Sequence, residues 1–213
     1  MKSFVRVHFT LKITDRLVAV VGGGAVGLRK AGVLAAADAR VRIVDLKPRP
    51  ALMDPTWDWV QSEFVPRHLD GADLVVAAAS ESVNAAVATA ARSRGIWLAD
   101  AIRPERGDIT FPAVGRCGKL TLAVDTAGAS PTTARRLRDA WLATLEPEFP
   151  AWLDLLLDIR RDVRAALGDT AQRQALTAEF AGEPWRRMFA VEGEAAVRAA
   201  MTTRLHEVQS RPK

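Results

Sequence analysis

Leu17-Val18-Ala19-Val20-Val21-Gly22-Gly23-Gly24-Ala25-Val26-Gly27-Leu28-Arg29-Lys30 decides the fold of this chain. Five apolar residues read as a buried parallel strand. Gly22-x-Gly24-x-x-Gly27 then opens a helix expected to carry Val26, Val33 and Leu34 on one apolar face. Strand, tight turn and helix in that order give a dinucleotide fingerprint its mechanism. Gly22 permits the turn, Gly24 lets a pyrophosphate approach the backbone, and Gly27 lets helix and strand pack closely. The helix start at Ala25 and Val26 supplies unpaired N–H groups and partial positive charge to an anion. A second strand, Val41–Val44, ends at Asp45. An acidic residue about 20 positions past the glycines is where a carboxylate accepts the ribose hydroxyls of NAD. Leu46, beside it, and Ala79 and Ser80, at the end of the third strand, complete the expected cofactor contacts. The charge of Asp45 argues for NAD over NADP, and the surrounding Arg42, Lys47 and Arg49 weaken that preference.

Around this core the chain alternates apolar runs and helical stretches. Leu74–Ala79 reads as a third strand, Val83–Arg94 as a helix, and a fourth strand begins near Ile96. A connection rich in Trp57, Trp59 and Pro66 separates the second and third strands, and Arg103–Asp108 is a loop by its turn chemistry. Ile109–Pro112 and Leu120–Val124 read as two further strands flanking the turn at Cys117-Gly118. Ser130-Pro131 starts a helix to about Leu145, with serine as the cap and proline at the first helical position. Beyond Pro147 the periodicity is helical, with Trp152, Leu155, Leu156, Ile159, Val163 and Leu167 at three- and four-residue steps. Further helices are expected over Ala171–Ala181 and Gly193–Val208. The fold class is α/β. A Rossmann-type parallel-sheet domain over residues 1–113 is followed by a β-containing bridge (114–146) and a small all-helical domain (147–213).

Composition narrows the function. The 213 residues are 49% hydrophobic and 26% charged, those of an ordinary globular protein. A single cysteine, Cys117, rules out a disulfide framework within the chain, and no base accompanies it as a nucleophile. No stretch reaches the ~18 apolar residues needed to span a bilayer, and the first ten residues lack the apolar run of an export signal. No membrane partner and cytoplasmic residence are the expectation. Net charge is +5, with arginines dispersed along helices, no aromatic-interleaved basic tract and no tyrosine. That distribution suits a small polyanion better than nucleic acid. His8, His68 and His206 show no metal-ligand spacing, so no bound metal is expected. Core packing accounts for the six tryptophans.

The order of motifs resembles the precorrin-2 dehydrogenase / sirohydrochlorin ferrochelatase family of siroheme synthesis. The resemblance is carried by Val20–Lys30, by the third strand running into Ser82-Val83-Asn84, by Pro104-Glu105 with Asp108–Val114, and above all by Leu122–Pro131 with the helix behind it. It implies NAD-dependent oxidation of precorrin-2, a homodimer paired through the bridge, and an anionic tetrapyrrole or other small acidic substrate. Arg103, Thr126, Ser130 and Arg135 are the implied substrate-binding residues. Arg106, Arg116 and Lys119 add positive charge, and Ser130 serves equally well as a plain helix cap.

One position departs from the family. Counted back without gaps from Phe111-Pro112, the family's acid–base aspartate falls at Ile102, which has no proton to exchange and cannot ligand a metal. Asp100 lies two positions earlier and shares a strand face with it, roughly 6.5–7 Å away. It is the candidate catalytic residue, its alternative being a strand-end residue that caps the loop or faces solvent. Three readings stay open. The chain oxidises precorrin-2 while chelation is in doubt; it oxidises another small acidic substrate with NAD; or it binds NAD or a tetrapyrrole without catalysis.

Overall fold

The structure, a computed structural model, describes residues 7–51 and 53–210. It divides into two compact units, one ending at Phe111 and the other beginning at Pro112.

The first unit is a parallel sheet of β1 (Leu17–Val21), β2 (Arg40–Asp45), β3 (Asp58–Gln61), β4 (Leu74–Ala77) and β5 (Trp97–Asp100) in the order β3-β2-β1-β4-β5. Two helices, α1 (Ala25–Ala35) and α2 (Glu81–Arg94), cover its faces. Strand periodicity explains both layers. Val18 and Val20 point to one face and pack with Ile43, Val76, Ala31 and Leu34. Ala19 and Val21 point to the other and pack with Val44, Val75, Leu98, Val87 and Ala91. A strand covered on both sides is apolar throughout, and Val18–Val21 are all buried. Each such valine contributes roughly 1.5–3 kcal/mol. The strand order reverses between β1 and β4, and crevices at the carboxyl ends of such strands are where open α/β sheets bind ligands.

Several expectations need correction. α1 buries Gly27, Ala31 and Leu34, whereas Val26 and Val33 are exposed, so the apolar face is rotated from the one expected. Close approach to β1 selects small residues there, and the two valines face away. β3 lies in what reads as a connection; an edge strand of four residues is too short to declare itself. Ile109–Pro112 is not a strand. Asp108 and Ile109 donate to the same carbonyl of Leu98 (2.8 and 3.1 Å), and Ile109 and Phe111 then lie as plugs on the α1-side core. Proline 112 cannot extend a ladder.

The second unit opens with an antiparallel hairpin, β6 (Ala113–Cys117) and β7 (Leu120–Val124), with α3 (Pro131–Leu142) packed on it. Leu142 and Arg138 close over Gly115. Then come α4 (Phe149–Ala166), α5 (Thr170–Phe180), α6 (Glu183–Glu192) and α7 (Glu194–Gln209) around a core of Trp152, Leu155, Ile159, Phe180, Phe189 and Met201. α6 escapes a sequence reading because it is short and its apolar residues, Trp185, Met188, Phe189 and Val191, are interrupted by Arg186 and Arg187; Phe189 meets Trp152 with ring centroids 5.4 Å apart. Of the tryptophans only Trp152 is fully buried, and Trp97 and Trp141 are exposed, so core packing does not account for them all. No helix among the described residues is long and apolar enough to cross a membrane.

Candidate nucleotide site and its surroundings

The glycine run leaves β1 at the switch point, and each glycine answers a different constraint. Gly22 adopts φ +105°, and a Cβ there would stand 2.4 Å from the carbonyl oxygen of Ala78. A Cβ on Gly27 would stand 1.8 Å from the carbonyl oxygen of Gly22. Gly23 lies under the Trp59 ring, and its N–H donates to Asp45 Oδ2 at 2.6 Å. The other oxygen of Asp45 accepts from the Lys47 N–H at 2.7 Å. Trp59 is held by donating to the Lys47 carbonyl at 3.2 Å. Asp45 therefore ties the end of β2 to the glycine loop, a double role its spacing alone does not reveal.

Gly24 is different. It caps α1 with ordinary extended backbone (φ −76°), nothing lies within 4 Å of a Cβ built on it, and no side chain caps the N–H groups behind it. Open space at the start of an uncapped helix is what a pyrophosphate requires, so these residues fit a dinucleotide. Ala25, Val26 and Leu46 are exposed around that opening. Ala79 and Ser80 follow β4, where the Ala79 N–H is held by Asn84 Oδ1 at 3.0 Å and Ser80 caps α2.

Asn84 of the Ser82-Val83-Asn84 stretch has a structural role that its sequence does not declare. Fully buried, it also donates to the Ala77 carbonyl (3.2 Å) and to Asp100 Oδ1 (3.1 Å), locking the ends of β4 and β5 to α2. Its position four residues past the capping Ser80 was the available signal. Asp100 itself is no open base. Its side chain is fully buried, and Oδ1 accepts from Asn84 and from the N–H groups of Ile102 and Arg103, both at 2.9 Å. Oδ2 faces Arg106 Nη1 at 3.4 Å, and neither atom has a hydrogen-bond partner among the described residues. In this geometry Asp100 braces the turn after β5, and Ile102, half exposed, occupies its tip. Arg103 and Arg106 both reach Glu81 Oε1 at the first turn of α2.

Lys30, unremarked in sequence beyond its motif, has its ammonium 3.7 Å from the Phe111 ring centroid. Burial, aided by neighbouring Arg29, lowers its pKa to about 8.

The remaining candidates belong to the second unit. Thr126 Oγ1 donates to the Ser130 carbonyl (3.2 Å) and accepts from the Ser130 N–H (3.1 Å), closing a loop that turns at Ala127 and Gly128 with positive φ. Ser130 accepts from the Thr133 N–H at 3.1 Å as the α3 cap. Arg135 is exposed beside Thr132. No group of three or more His, Cys, Asp or Glu among the described residues could hold a metal ion.

Comparison with known proteins agrees with this geometry. Residues 9–113 match a family profile described as NAD(P)-binding. A siroheme synthase of Tolumonas auensis is 30% identical over 186 residues, covering 84% of this chain and 37% of that protein. A siroheme synthase of Methylococcus capsulatus is 35% identical over 174 residues, covering 77% and 36% respectively. This chain thus spans little more than a third of those relatives' length. A solved structure named SirC, precorrin-2 dehydrogenase, shares the fold with a TM-score of 0.72 at 17% identity, over 95% of this chain and all of that one. With its NAD(P)-binding domain, this chain belongs to the siroheme synthase family.

Proposed function

We propose that the chain is an NAD-dependent oxidoreductase that converts precorrin-2 to sirohydrochlorin, releasing NADH and a proton. The observation that carries this reading is the open, uncapped α1 start at Gly24 with Asp45 poised beside it. Similarity to siroheme synthases and to a precorrin-2 dehydrogenase supplies the substrate class.

When bound, NAD supplies a hydride acceptor. The protein's work is placement: N–H donors of α1 would hold the pyrophosphate, Asp45 would accept from the ribose, and orienting the two reactants removes an entropic part of the barrier. Asp100 is committed to its turn and Ile102 has no proton to move, so the proton lost with the hydride goes to water or to a substrate carboxylate. The same two residues support dehydrogenation without metal insertion, which needs the pyrrole protons removed. Arg103, Thr126, Ser130 and Arg135 are the proposed substrate contacts.

Pairing of two copies through the 114–146 segment is part of this reading. It is supported by the β6–β7 hairpin, whose outer edges pair with no other strand among the described residues, and by exposed Val114, Leu137 and Trp141, and light scattering at twice the monomer mass tests it. Residence in the cytoplasm follows from the pathway. The decisive assay supplies NAD and freshly made precorrin-2 anaerobically and follows NADH and sirohydrochlorin absorbance. Tight NAD binding without turnover would move the assignment to another acidic substrate.

A further inference from the structure

The Arg103–Arg106 pair at the end of β5 is arranged as a receptor for a carboxylate, and the chain's own Glu81 fills it. Both guanidiniums converge on one oxygen: Arg103 Nε lies 2.7 Å from Glu81 Oε1, and Arg106 Nη2 donates to the same atom. The two arginines differ in mobility. Arg106 is largely buried, at 16% exposure, and it faces the fully buried Asp100, which three donors hold in place. Its guanidinium is therefore fixed before any ligand arrives. Arg103 and Glu81 are half exposed, at 57% and 46%. The site lies at the carboxyl edge of the sheet, beside the first turn of α2, whose dipole favours negative charge.

We propose that this pair is a carboxylate-binding subsite and that Glu81 is an internal stand-in, displaced when a carboxylate of a polyanionic substrate arrives. The inference rests on the proposed tetrapyrrole oxidation and assigns which residues read the acidic side chains. An ion pair as exposed as Arg103–Glu81 contributes little, so exchanging one carboxylate for another costs little. A neutral or cationic ligand would leave Glu81 in place. Glu81 thus sets a threshold that only an anion crosses, which makes it a specificity-determining residue.

The test uses uroporphyrin, a stable polycarboxylate tetrapyrrole, titrated against the whole protein by quenching of tryptophan fluorescence. Glu81→Gln removes the competing charge and is expected to tighten binding about two- to fivefold. Arg103→Gln is expected to weaken it about tenfold, and in the Arg103→Gln background the Glu81→Gln gain should disappear. KM for precorrin-2 should move in the same directions, with kcat little changed. Equal affinity of wild type and Glu81→Gln, or weaker binding by Glu81→Gln with an unchanged melting temperature, would overturn the proposal. NAD titration in parallel keeps the two readings apart. Loss of the subsite leaves NAD binding intact and raises KM for precorrin-2, whereas failure of the dehydrogenase reading shows as no turnover at any precorrin-2 concentration, whatever the state of Glu81.

Discussion

At the scale of single residues, the three fingerprint glycines make separable claims. Gly24→Ala places a methyl group in open space on an allowed backbone, so stability should change by less than about 1 kcal/mol. NAD affinity should nevertheless fall at least about tenfold, because the methyl sits where the pyrophosphate must approach. Gly27→Ala does the reverse, since its Cβ meets the Gly22 carbonyl. It should cost about 3 kcal/mol and lower the melting temperature, with or without NAD. Calorimetry on both variants checks the pair; a stable Gly24→Ala protein with unaltered NAD binding would refute this site. Asp45→Ala loses a charged acceptor worth roughly 1.5–3 kcal/mol and should narrow the gap between NAD and NADP dissociation constants.

At the scale of elements, two basic side chains, buried His68 and half-buried Lys30, report on how the sheet is covered. His68, in the 3₁₀ turn before β4, is buried, and its Nδ1 accepts from the Val65 N–H at 3.2 Å. Burial, with Arg67 and Arg42 nearby, lowers its pKa. The unfolded chain then takes up the proton first, so stability is complete above pH 6.5 and declines as pH falls below it. His68→Gln, which keeps an acceptor, should flatten that decline in urea titrations between pH 7 and 5. Lys30 of α1 works in the opposite pH range. Its ammonium is charged in both states below its folded pKa of about 8, and there the fold carries the full desolvation cost. Between about 8 and 10.5 the unfolded chain holds the proton alone, so stability rises with pH. Lys30→Met should raise the melting temperature at pH 7 and abolish its share of that alkaline rise. An unchanged profile would mean that the contact with Phe111 compensates the burial.

At the scale of the whole molecule, each unit has its own hydrophobic core, the first wrapped on both faces of the sheet and the second within the helices. Separate cores favour separate cooperative transitions. Scanning calorimetry should resolve two, and NAD at 100 times its dissociation constant should raise only the first unit's stability, by about 2.7 kcal/mol. A single transition shifted as a whole by NAD would show the units to be energetically coupled.

Local chemistry alone was enough for the nucleotide-binding half. A fully apolar strand, glycines at fixed spacing and an acid after the second strand are short-range signals, so β1, α1, β2 and the place of Asp45 were readable in order along the chain. Which face of α1 is buried was not readable, because the close approach of Gly27 and Ala31 to β1 overrides the larger apolar residues Val26 and Val33. The edge strand β3 and the plug formed by Ile109 and Phe111 exist only through pairing with distant residues. The fate of Asp100 was decided in three dimensions as well. Strand alternation put it on the same side as Ile102, but Asn84, sixteen residues away, and Arg106 turned its carboxylate inward. Sequence spacing sets which groups can meet; burial and the competition for hydrogen bonds decide which of them remain available to a ligand.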